Sequence, residues 1–201
     1  MALEAFYNLK EKKKLSLYNA ISVCLRKKSY DELSVNEIVE EADISRGSFY
    51  NYFNNKNDAI LSMVEFKIKH HMDLLLTAIK ESNYKLFDGV RKYYYDIESV
   101  LYDEINLSVM KNVKFYVELC FESVKTDKFR KYIADVAKWL VDNTYEGKKY
   151  LSSLKNMISV FEMTIVLVLD TVFAKVNNAV KLAGDNEMFE YKLSIIEKGI
   201  V

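Results

Sequence analysis

The sequence predicts an all-α protein, and three observations carry that expectation. The 201 residues contain five glycines and no proline, which leaves few positions suited to hairpins and irregular loops and argues against an all-β fold. Apolar residues recur at spacings of three and four through most of the chain, the mark of helices with one buried face. Turn-forming residues cluster at a few points only: Ser82 and Asn83, Thr126 and Asp127, residues 143–147 and residues 183–186. With 50% apolar residues the chain can build a substantial core.

Several function classes are excluded at once. Gly47, Gly89, Gly147, Gly184 and Gly199 lie too far apart for a GxG or GxxxxGK phosphate loop. Cys24 and Cys120 are isolated in apolar helical patterns, which suits reduced thiols, and with His70 and His71 they do not make a metal-ligand set, so no cofactor and no metal is expected. The longest apolar stretch, residues 157–176, is interrupted by Glu162, Asp170 and Lys175, so no membrane span is expected. Nothing near the N-terminus reads as a signal peptide, and a cytoplasmic location is the expectation.

Ser34 and Glu37 stand in capping-box spacing and start a second helix with Val35, Ile38, Val39 and Ala42 on one face. That helix can last about two turns before Asp43, a residue that tolerates a left-handed turn position. Ile44 plugs the turn, and Ser45 caps a third helix whose Phe49 and Phe53 share the inner face. Its other face presents Arg46, Gly47, Ser48, Tyr50, Asn51 and Tyr52, hydrogen-bonding or flat groups with almost no aliphatic cover. Two short helices joined by a tight turn, the second exposing such a face, describe a helix-turn-helix.

Beyond it, Leu86, Val90, Ile97 and Leu101 mark one helix, Met110, Val113, Val117, Cys120 and Val124 a second, and Phe129, Ile133, Val136 and Leu140 a third. Residues 148–182 carry a stripe of Leu151, Leu154, Ile158, Phe161, Ile165, Val168 and Val172, with Met157, Val160, Val166, Leu167 and Phe173 on other faces. A helix that is apolar nearly all round is buried on more than one side. Together with the last helix, marked by Phe189, Leu193, Ile196 and Ile200, it predicts a four-helix interface between two subunits; a central helix in a monomeric bundle is the alternative. The expected organisation is a helix-turn-helix domain over 1–55, a connecting helix over 56–82, and a larger regulatory, ligand-binding and dimerisation domain over 83–201.

From about Lys12 to Leu61, and most specifically in the string ISRGSFYNYFNNKNDAI (residues 44–60), the sequence resembles the DNA-binding domain of TetR-family transcriptional regulators. It departs from the family where Asp43 and Ser29 stand in place of glycine. The resemblance implies a homodimeric regulator, a repressor rather than an activator, that binds a palindromic double-stranded DNA operator and answers to a small-molecule effector. It also implies phosphate contacts by Ser34 and Lys56, backbone or thymine-methyl contacts by Tyr50 and Tyr52, and base-edge reading by Arg46, Gly47 and Ser48. Helical geometry adds Asn51, and Ser45 at the N-cap completes the DNA-facing set.

Through Lys67 basic and acidic residues are equal in number, so position must supply what net charge does not. Lys12, Lys13, Lys14 and Lys56 are expected near phosphates, with the acids of residues 37–43 turned elsewhere. In the regulatory half, Tyr94, Phe115, Glu118, Phe121, Glu122, Trp139, Phe161 and Glu162 are candidates for an aromatic pocket holding a cationic, lipophilic ligand; salt bridges to the many lysines are the other reading of the acids. An enzyme, such as a helical hydrolase, is disfavoured by the lack of a GxSxG elbow, a metal motif and a His placed beside a nucleophile. A helical interaction protein that does not contact DNA is the remaining alternative.

Overall fold

The computed structural model describes residues 2–104, 127–177 and 185–200, and every regular element among them is an α-helix. The helix expected around Met110 to Val124 lies outside the described residues, as do Cys120 and four of the pocket candidates: Phe115, Glu118, Phe121 and Glu122. The described chain divides into two compact units, residues 2–69 and the part from His70 onward.

The first unit contains α1 (Glu4–Tyr7), α2 (Glu11–Lys27), α3 (Val35–Glu41), α4 (Arg46–Tyr52) and the first part of α5 (Lys56–Glu81). Its core is made by residues that the three-and-four spacing places inward: Ile21, Leu25, Ile38, Phe49, Phe53, Ile60 and Met63 are all buried. Tyr18 crosses this core and shares a 2.7 Å hydrogen bond with Ser62 Oγ. Burial pushes its phenol up to about 12, so it serves as a neutral strut between α2 and α5. Cys24 is a buried free thiol.

The second unit holds the rest of α5, α6 (Leu86–Glu104), α7 (Asp127–Asn143), α8 (Tyr145–Lys149), α9 (Leu154–Asn177) and α10 (Asp185–Gly199). Helix α9 packs against α6, α7 and α10. The apolar stripe expected from Leu151 is continuous only from Leu154. Ser152 and Ser153 break it, and the Leu151 N–H turns back to the Glu146 carbonyl at 2.9 Å, leaving Leu151 buried outside the helix. Serine competes for backbone partners and favours helix starts over interiors.

Long-range polar contacts tie this unit together. Arg91 donates to Glu190 at 2.9 Å and to Glu197 at 2.6 Å, joining α6 to α10. Beside that fork the Tyr94 ring stacks on Phe189 with centroids 3.8 Å apart. The buried carboxylate of Glu146 accepts from the Leu86 N–H at 2.8 Å, capping α6 from a distant part of the chain. No helix among the described residues is long and apolar enough to cross a membrane.

Candidate nucleic-acid interface

The turn region is assembled from local signals. Ser34 is the N-cap of α3 and forms a complete capping box: its Oγ accepts from the Glu37 N–H at 3.3 Å, and the Glu37 carboxylate accepts from the Ser34 N–H at 2.9 Å. Helix α3 lasts seven residues. Asp43 then adopts φ 50°, the left-handed conformation that reverses the chain, and the Ile44 N–H closes the turn on the Val39 carbonyl at 3.0 Å. Ser45 caps α4 by accepting from the Ser48 N–H at 3.0 Å.

Helix α4 is oriented by its inner face. Phe49 and Phe53 are both fully buried with ring centroids 5.4 Å apart, and a helix anchored on that side must present its other residues outward. Arg46, Gly47, Tyr50 and Asn51 are exposed, and Ser48 and Tyr52 are half-buried. The Arg46 guanidinium donates to Asn36 Oδ1 at 3.1 Å and lies 5.8 Å from the centre of the Tyr50 ring. Asn36 therefore joins the group on this face, although no motif in the sequence singles it out. Gly47 has open space around it: an added Cβ would meet only Ser45 Oγ, at 3.8 Å.

Two residues read as phosphate contacts are already engaged. The Lys56 ammonium donates to the carbonyls of Tyr30 at 2.7 Å and Leu33 at 2.8 Å, and sits 4.2 Å from the Tyr30 ring centre. It therefore ties the start of α5 to the loop before α3, with one of its three N–H donors beyond these two bonds. The Ser34 hydroxyl donates to Glu37 at 2.8 Å. The Glu37 carboxylate thus lies beside Ser34 at the N-terminus of α3. Lys28 pairs with it, and this cation, with the Ser34 donors, draws the carboxyl down to about 2. Lys27 is likewise paired with Glu41, at 2.7 Å. Of the expected lysines near α2, Lys12 and Lys13 are exposed, and Lys14 is bonded to Glu11 at 2.8 Å.

The described pocket candidates are distributed differently from the sequence expectation. Tyr94 and Phe161 belong to the packed core of the second unit; the Tyr94 hydroxyl donates to Asn186 at 2.7 Å. Trp139 is half-buried against Tyr84, with the Lys80 ammonium 5.4 Å from its ring centre. Glu162 does not face inward. It follows buried Phe161 by one residue, about 100° around the helix, and is exposed along a groove between α9 and α10.

A family model described as bacterial regulatory proteins, tetR family, matches residues 17–63. Over 97 residues the chain is 36% identical to the HTH-type transcriptional regulator YuxN of Bacillus subtilis (strain 168), an alignment covering 48% of this chain and 31% of that protein. It is 33% identical over 73 residues to an HTH-type transcriptional regulator in the lacX 3′ region of Lactococcus lactis subsp. lactis, covering 36% of this chain and 37% of that one. The chain thus spans about a third of the length of these curated relatives. A TetR family transcription regulator from Marinobacter aquaeolei VT8 has the same fold, with a TM-score of 0.64 at 14% identity over 94% of this chain and 96% of that one. Residues 17–63 thus match the tetR family of bacterial regulatory proteins, and the chain shares the fold of a TetR family regulator.

Proposed function

We propose that the protein is a ligand-responsive transcriptional repressor that binds a near-palindromic DNA operator as a homodimer and works by binding rather than catalysis. The observation that carries the reading is the exposed face of α4: a capped helix held by two buried phenylalanines, presenting arginine, glycine, serine, tyrosine and asparagine outward. These groups suit base edges and sugar-phosphate at close range. Lys12 and Lys13 supply phosphate attraction, and Ser34 and Lys56 contact the backbone with the bonding capacity that their internal partners leave.

The dimer is formed through α9 and α10. Met163 and Val166 on α9 are 49% and 60% exposed, and Met188, Tyr191 and Ile195 on α10 are 51%, 64% and 53% exposed. A groove of about 600 Å³ lies between the two helices. Apolar side chains exposed in such continuity mark an association surface. A small-molecule effector binds in the second unit and shifts the protein between DNA-competent and incompetent arrangements by preferring one of them.

Selection of duplexes from a random-sequence pool tests the reading. Enriched sites are expected to be near-palindromes with half-sites about one or more helical turns apart. Arg46→Ala is expected to cost about 1–3 kcal/mol and to relax preference at one symmetric pair of positions. No enrichment by the unmodified protein would refute DNA recognition.

A further inference from the structure

The segment ahead of α2 touches the recognition helix at its C-terminal end. The Leu3 N–H donates to the Tyr52 carbonyl at 2.8 Å, and Ala2 pairs with Phe53 in an isolated antiparallel bridge. Three residues later Phe6, 1% exposed, is inserted among aromatic rings, with centroids 5.3 Å from Tyr18, 6.2 Å from Tyr52 and 5.0 Å from Phe53. The Phe6 and Leu9 N–H groups fold the segment back on itself through the carbonyls of Leu3 and Phe6 at 3.0 and 3.1 Å. A four-residue helix such as α1 has no stability of its own; burial of Phe6 holds it in place.

The consequence falls on α4. A helix of seven residues is short for independent stability, and its last carbonyls have no donors within the helix. The Phe53 N–H closes on Phe49 at 2.9 Å, and the last carbonyl of the helix, that of Tyr52, accepts from Leu3. Ser45 therefore fixes the start of α4 and the N-terminal segment fixes its end, where Tyr50, Asn51 and Tyr52 are carried.

We propose that residues 2–9 are a positioning brace for the recognition helix, ordering its C-terminal turn so that sequence-specific contacts form without the brace itself contacting DNA. The inference rests on the reading of α4 as the DNA-recognition helix. It sets the brace apart from the rest of the core: loss of the Leu3 bond loosens α4 while the other helices of the unit keep their packing.

Leu3→Pro tests this, because Leu3 has φ −80°, a value that proline accepts, so the substitution chiefly removes the donor. Leu3→Ala keeps the N–H and serves as the rescue. In the free protein, Leu3→Pro is expected to speed amide exchange at residues 49–53 by about ten-fold while leaving α2 unchanged. It should also weaken binding to a duplex selected by the unmodified protein, leave binding to a random-sequence duplex of the same length unchanged, and be matched by no such change in Leu3→Ala. Unchanged exchange in α4, equal loss on both duplexes, or equal harm from Leu3→Ala would overturn the brace. Global loss of helical circular dichroism would overturn it too, since the segment would then be core. If the unmodified protein selects no duplex, the DNA reading fails, and the exchange comparison still decides whether the segment orders α4.

Discussion

Gly47 and Gly89 are the same residue kept for opposite reasons. A Cβ on Gly89 would fall 2.5 Å from Ile79 Cα, so the close approach of α6 to the end of α5 requires glycine there. At Gly47 the protein has no such requirement, and glycine inside a helix is unfavourable relative to alanine by up to about 1 kcal/mol. On the proposed reading of α4, what lies outside the protein explains it, namely a DNA backbone that comes close. Gly47→Ala is therefore expected to raise the urea midpoint slightly and to lower affinity for the selected duplex. A gain in stability with undiminished binding would remove the close-approach role. Lys56 is less easily separated: a variant there loses the two carbonyls it holds as well as any phosphate contact, so Arg46 gives the cleaner reading of recognition.

At the scale of elements, α3 shows how a cap also becomes a pH-dependent device. Its Glu37 carboxyl is held at about 2, first by Lys28 and then by Ser34, well below the ordinary carboxylate value of about 4.3. The folded state thus favours the ionised form. The resulting stabilisation is present above the ordinary value, shrinks as the pH falls below it and is lost as the pH passes about 2. Glu37→Gln retains a side chain able to complete a capping box but removes this charge. Its stability should fall less steeply between about pH 5 and pH 2 than that of the unmodified protein, as read by urea midpoints across that window. Parallel curves would mean that the Lys28 pair contributes nothing in solution, as many exposed pairs do.

For the whole molecule, the question is which apolar residues serve folding and which serve association. Adjacent residues of α9 answer it: Leu167 is 7% exposed and Val166 60% exposed. Val166→Glu is expected to leave the protomer folded and to shift sedimentation from dimer to monomer at micromolar concentration. Leu167→Glu places a charge in the protomer's own core, where an unpaired carboxylate is strongly unfavourable, and should impair folding itself. A stable monomer for the unmodified protein, or a dimer unaffected by Val166→Glu, would place the interface elsewhere. On the proposed reading, dimerisation matters to recognition because two copies of α4 on one duplex would turn a short contact face into a symmetric site.

The helix-turn-helix was legible because its signals are local. Ser34 to Glu37, Asp43, Ser45 to Ser48, and Phe49 to Phe53 act across no more than four residues, the reach of caps, turns and one helical face. The same locality makes the apolar stripes of the second unit readable, down to the candidate dimer helices. Tertiary structure decided what no local pattern contains. It placed the Lys56 ammonium on carbonyls 26 and 23 residues away, Leu3 on Tyr52, and Arg91 on Glu190 and Glu197. It also chose which side of α9, apolar nearly all round, is covered by its own unit, turning Phe161 and Leu167 inward and Glu162 and Val166 outward. Hydrogen-bond donors far apart in sequence find partners only when packing brings them together, so their roles follow from the folded core and from nothing that precedes it.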